Sequence, residues 1–153
     1  MKKMICLTLA LLLALSMAGC GAKETPKTAD LQALYETMVP TLPQMLPLDE
    51  TTLMNFLGID AGDCTQMAVA ICMEGLRADE VWLIEAKDAD AFARIKALAE
   101  NRLKAKAEET VSYNPEQYAV VEKAQLITEG NYVILLVSPD VDSLKAAVEA
   151  AWK

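Results

Sequence analysis

The chain has 153 residues, a formal net charge of −8, no histidine and only 5% aromatic side chains. Without histidine, Ser/His and Cys/His nucleophilic catalysis are excluded in their usual forms, as is a histidine-ligated zinc or iron site. The acidic balance repels nucleic acid and anionic lipid headgroups, so no nucleic-acid partner is expected, and attachment to a membrane has to come from something other than charge.

Lys2 and Lys3 open the chain, and Met4 to Leu15 is an almost unbroken apolar stretch. About a dozen apolar residues fit a signal h-region of roughly 7 to 15 and fall short of the roughly 20 needed to span a bilayer. The stretch ends in Leu15, Ser16, Met17, Ala18, Gly19, Cys20, which resembles the lipobox of bacterial lipoproteins, with Met17 where leucine is commoner. The resemblance implies diacylglyceryl transfer to the Cys20 thiol and cleavage after Gly19. An ordinary secretory leader, or a short buried helix with an incidental cysteine, is the alternative. The order of charge, apolar length, small residues and cysteine favours the lipoprotein. Residues 1–19 are thus expected to be a leader and 20–29 a lipidated cysteine with a polar tether, leaving 30–153 as a single α+β domain. Extended at about 3.5 Å per residue, the tether reaches roughly 30 Å. Loss of Lys2 and Lys3 with the leader takes the side-chain charge from −8 to −10.

Asp30 is placed to cap a helix with Leu31, Leu34, Tyr35 and Met38 at helical spacing, which Pro40 stops. Pro40, Pro43 and Pro47 among Leu42, Met45, Leu46 and Leu48 read as an extended apolar segment. It either covers an open face of the sheet or offers a partner an adaptable methionine-rich surface. Asp49 caps a short helix bearing Leu53, Phe56 and Leu57, closed by Gly58 in a left-handed conformation. From Gln66 to Met73, bulky and small residues alternate as in a strand; Gly75 to Asp79 turn the chain, and Val81 to Ala86 form the antiparallel neighbour. Asp88 caps a long helix to about Glu109, with an apolar stripe of Phe92, Ile95, Ala99 and Leu103, Leu98 beside it, and exposed pairs Asp90 with Arg94 and Glu100 with Lys104.

Asn114 and Pro115 start another short helix, with Tyr118 and Val121 inward. Strands Ala124–Thr128 and Tyr132–Ser138 meet across Gly130 and Asn131, where glycine in first place suits a type II′ turn. Ser138 and Pro139 open a last helix with Val141, Leu144, Val148 and Trp152 on one side. The order α-α-β-β-α-α-β-β-α combines most simply into a four-stranded antiparallel sheet with helices packed mainly on one face. Two separate hairpins are the alternative, at the cost of extra exposed edges.

Several of these pieces resemble DUF4358, a family of small lipoproteins, mostly of Firmicutes, with no assigned function. They are Leu46, Pro47, Leu48 and Asp49; Gly58, Ile59 and Asp60; Ala78, Asp79 and Glu80; Lys87 and Asp88; Tyr113, Asn114 and Pro115; and Gly130, Asn131 and Tyr132. Each is turn or cap chemistry, so the resemblance implies an address and a fold and carries over no active site.

Of the four cysteines, Cys6 leaves with the leader and Cys20 takes the lipid. A Cys64–Cys72 disulfide would need a sharp turn between them, since eight residues of strand span about 26 Å and a bridge needs roughly 7 Å. Two unpaired, largely buried thiols are expected instead, in settings that disfavour the thiolate. Asp60 with Asp63, Asp79 with Glu80, Asp88 with Asp90 and Asp140 with Asp142 admit a calcium or hydrolase reading, but their places at turns and helix starts favour capping. No catalytic residue, metal or cofactor is therefore assigned. The expected role is an extracytoplasmic accessory or binding module, held on the cell membrane by lipid at Cys20 and assisting a membrane or envelope protein. A carboxylate-only envelope hydrolase and a small solute-binding lipoprotein are the alternatives.

Overall fold

The computed structural model describes residues 27–152. The leader, the cleavage site at Gly19, Cys20 and the tether up to Pro26 lie outside them. The remainder is an α+β fold, with five α-helices among the described residues and one antiparallel sheet.

Helix α1 (Leu31–Met38) starts where the Asp30 carboxylate accepts from the Ala33 N–H at 3.0 Å, and it buries Leu31, Leu34, Tyr35 and Met38. Pro40 converts the chain to a 3-10 turn, Val39–Thr41. The proline-rich segment then forms β1 (Met45–Pro47), which pairs with β2 (Cys64–Cys72). The sheet therefore has five strands, not four, in the order β1-β2-β3-β5-β4, with β3 Glu80–Ala86, β4 Gln125–Glu129 and β5 Tyr132–Val137. A three-residue strand is too short to show alternation, and its proline argued against one. Pro47 is tolerated because Leu48 donates to the Val69 carbonyl at 2.8 Å, which turns the position of the missing Pro47 N–H away from β2.

Helices cover both faces of the sheet rather than mainly one. On one side α2 (Glu50–Leu57), α3 (Ala89–Tyr113) and α4 (Pro115–Glu122) pack on Val69, Trp82, Ile84, Val133 and Leu135. On the other, α1 and α5 (Val141–Ala151) pack on Ala70, Val81, Leu83, Ile134 and Leu136. The cause lies in β3 and β5, whose Val81 to Ile84 and Tyr132 to Val137 are unbroken apolar runs and are fully buried. A strand with one wet face alternates; an unbroken apolar run needs cover on both sides.

Asp49 caps α2 through the Thr52 N–H at 2.7 Å, and Gly58 ends it with φ +70°. Leu53 and Leu57 are buried, but Phe56 is 67% exposed. In so short a helix the buried stripe follows the i, i+4 pair 53 and 57, and Phe56 falls off its edge. Asp88 caps α3 through the Ala91 N–H at 2.8 Å. The helix continues beyond Glu109 to Tyr113, where Asn114 both ends it and caps α4 through the Gln117 N–H at 3.2 Å. At 1.5 Å per residue α3 is about 37 Å long against about 23 Å for β3, so its C-terminal turns project past the sheet.

The ion pairs on α3 differ from the helical pairs expected. Arg94 reaches Asp63 rather than Asp90, Glu100 pairs with Lys96 at 2.7 Å, and Lys104 lies 3.9 Å from Glu108. A bidentate tertiary carboxylate outcompetes an exposed neighbour one turn away. In the β4–β5 hairpin Gly130 has φ +55°, while no non-glycine among the described residues has positive φ, as a type II′ turn requires. On α5, Val141, Leu144 and Val148 are buried, and Trp152 just beyond it meets Tyr132 edge-on at 4.9 Å.

Candidate functional site

The two ends of the sheet differ in chemistry. At the hairpin end the chain enters the fold. Ala29 is buried, and its N–H donates to the Tyr132 hydroxyl at 3.3 Å. Gln66 accepts from the Leu31 N–H at 3.2 Å and donates to the Ala29 carbonyl at 3.3 Å and to Glu85 at 2.8 Å. Lys27 pairs with Glu129 at 3.3 Å. Ala29, expected in the tether, is thus packed into the body. Near this end Asp63 receives Arg94 at 2.8 and 2.9 Å and Lys87 at 2.9 Å. These two cations hold its carboxyl well below the usual aspartate range.

At the opposite end β3 begins with two buried carboxylates. Asp79 is gripped by Arg77 at 3.0 and 3.1 Å. Glu80 is fully buried. Its Oε1 accepts from Trp82 Nε1 at 2.7 Å and Arg102 Nε at 3.0 Å, and its Oε2 from Arg102 Nη2 at 2.8 Å and Lys106 Nζ at 2.9 Å. Burial by itself would raise the Glu80 pKa; Arg102 and Lys106 outweigh it, and the pKa falls below the ordinary value. Lys106 also donates to the Ala78 carbonyl at 3.0 Å, and the Ala78 N–H donates to Gln117 at 2.7 Å, so the loop before β3 is fixed to α3 and α4. Around this anchored loop Met73, Leu76, Val111 and Tyr113 are 65%, 78%, 50% and 87% exposed.

The acidic pairs singled out in the sequence do not converge on a ligand. Asp60 accepts from the Gly62 N–H at 2.8 Å, Asp88 caps α3, and Asp140 makes no side-chain cap. Asp79 and Glu80 depart from the capping expectation, because both are buried and salt-bridged. The signal for Glu80 lay in Arg102 and Lys106, one turn apart on α3, but nothing in the spacing ties that turn to the start of β3. With both Glu80 oxygens fully engaged, it has no lone pair free for a metal or for a substrate proton. Among the described residues no three metal-ligating side chains cluster.

Cys64 and Cys72 are unpaired, at opposite ends of the same strand, and half-buried rather than largely buried. Burial, then the nearby Asp63 and Asp60, pushes the Cys64 thiol up to about 11, which suppresses the nucleophilic thiolate. Cys72 Sγ accepts from the Glu74 N–H at 3.4 Å.

The proline segment does not lie over the sheet's second face, which α1 and α5 cover; it pairs at the sheet edge as β1, with Leu48 buried, Leu42 and Met45 packed on the layer of α1 and Leu46 exposed. Beneath it a cleft of about 240 Å³ is lined by Tyr35, Val39, Leu42, Pro43, Gln44 and Met45. A shallow groove of about 420 Å³ runs between α1 and α5, where its one charged residue, Asp30, is already engaged as a cap. Neither gathers the convergent polar groups that fix a small ligand. No described helix is long and apolar enough to cross a membrane.

A family model described as a domain of unknown function, DUF4358, matches residues 39–138. The match takes in all five strands, α2, α3 and α4, hence Glu80, Arg102 and Lys106, and leaves α1 and α5 outside it. No curated protein and no solved structure matches the chain.

Proposed function

We propose that this chain, which belongs to the DUF4358 family, is a lipid-anchored binding module of the bacterial cell envelope. Cys20 holds it to the outer face of the cell membrane, and it acts on a membrane or envelope protein without catalysing a reaction. One observation carries the reading: the chain joins the body at the hairpin end, and four of the exposed large apolar side chains, Met73 and Leu76 in the β2–β3 loop and Val111 and Tyr113 at the end of α3, lie toward the other end. From Gln66 to Cys72 the strand covers about 20 Å, so that end stands well apart from the point where the chain joins the body. Exposed apolar groups on a rigid frame suit protein contact. The Glu80 cluster and the Lys106 and Gln117 bonds to Ala78 supply the rigidity.

A photo-crosslinking residue at Leu76 in the intact lipoprotein, activated in its own cells, tests the reading. One discrete adduct is expected, weakened by Tyr113→Asp and absent with the crosslinker at Gln32. The same adduct pattern at Leu76 and Gln32, or none at either, contradicts it. The carboxylate-only hydrolase loses support because Asp63, Asp79 and Glu80 are each held by cations. The solute-binding reading rests on the cleft beside Pro43 and the shallow groove between α1 and α5, neither of which gathers convergent polar groups.

A further inference from the structure

Among the described residues the sheet has two edge strands with no further partner, and only one is guarded. On β1 the positions facing away from β2 are Met45 and Pro47, so the outer edge lacks a donor at Pro47. Proline facing outward is a standard block to strand addition. On β4, Glu129 and Tyr132 flank a two-residue turn and form a hydrogen-bonded pair, as do Ile127 with Ile134 and Gln125 with Leu136. Leu126 and Thr128 therefore point their N–H and C=O groups outward. Neither side chain is proline or lysine, the β4–β5 register runs without a bulge, and among the described residues no element other than β5 packs extensively on β4.

We infer that two copies of this chain pair antiparallel through β4, centred on Ile127, and join two five-stranded sheets into one. The register is self-complementary. With Ile127 opposite the partner's Ile127, Leu126 meets the partner's Thr128 and Thr128 the partner's Leu126, so the outward groups on each strand find donors and acceptors in phase. Gln125 falls opposite the partner's Glu129, with Lys123 diagonal to it, so no like charges face each other. Leu126 and Ile127 are half-buried and belong to opposite core layers, so pairing covers apolar surface on both faces of the sheet. The two Glu129 ends, beside which the chains emerge, would lie about 14 Å apart. Because the two hairpin ends face opposite ways along the strands, both anchors of the proposed lipoprotein reach one bilayer with the strands lying along it, and confinement there raises the effective concentration for pairing.

The test is the mass of the full lipoprotein in detergent, by light scattering across a concentration series, with two variants. Thr128→Pro removes an outward N–H that the β4–β5 ladder does not use. Ile127→Cys, in a Cys64→Ser, Cys72→Ser background, places two thiols across the axis at a spacing that suits a disulfide. Twice the chain mass, reduced to one chain by Thr128→Pro with unchanged circular dichroism, and an oxidant-dependent crosslink at Ile127→Cys are expected. A single-chain mass at every concentration overturns the inference, as does a dimer that survives Thr128→Pro and does not crosslink. If Thr128→Pro fails to fold, the crosslink decides alone. The Leu76 experiment is independent of either result.

Discussion

Asp63 and Glu80 stand at opposite ends of the sheet, and each is held by two cations from or beside α3. Their surroundings separate them. Lys87 and Arg94 are 46% and 55% exposed around an Asp63 that is 14% exposed, whereas Lys106 and Arg102 are 11% and 30% exposed around a Glu80 with no exposure. Water screens the first cluster and competes for its hydrogen bonds. The second is fenced by Trp82 and the core beneath α3, so loss of one member leaves the others charged in a poor solvent. Similar charges thus make a surface clasp at the hairpin end and a buried joint at the far end.

Glu80→Ala should break this contrast most severely. It strands Arg102 and Lys106 and leaves Trp82 Nε1 without its acceptor, and a loss of about 3–5 kcal/mol in urea unfolding is expected. Arg102→Ala comes next at about 2–3 kcal/mol, because Lys106 and Trp82 still satisfy part of the carboxylate. Equal losses for the two would mean that Lys106 contributes nothing.

Acid should weaken the far end. Glu80 binds its proton less readily in the folded chain than in the unfolded one, so the unfolded state takes up more protons as pH falls. Its contribution is complete above the ordinary glutamate value of 4.5 and is lost as pH drops through the lower folded value. The stability gap between the natural chain and Glu80→Gln should accordingly narrow in acid; a gap that widened would reverse the assignment. Asp63→Asn is the smallest effect expected, a shift in Tm far below that of Glu80→Ala and further reduced by added salt. A loss matching Glu80→Ala would show that exposure does not separate the clusters.

Local signals carried far enough to place most elements. Asp30, Asp49 and Asp88 cap the helices that their positions announced, and Gly58 and Gly130 take the positive φ that their turns need. What escaped was information held between distant segments. Nothing near Met45–Pro47 declares a strand, because its partner Ala70–Cys72 supplies the pairing. The second helical layer is legible only in the unbroken apolar runs of β3 and β5, which leave neither strand a wet face. Arg94 met Asp63 and Arg102 met Glu80 across 31 and 22 residues, distances at which helical spacing says nothing. The candidate site was the least legible part. Glu80 resembles any acid before a strand until the fold buries it under α3.

Attachment through Cys20 is the premise of the proposed role. Intact-mass spectrometry of the protein purified from membranes of its own cells tests this most directly. The expected result is a chain beginning at Cys20 with a diacylglyceryl group on its thiol. A chain with a free Cys20 thiol, or one that keeps residues 1–19 in lipidation-competent cells, would contradict it.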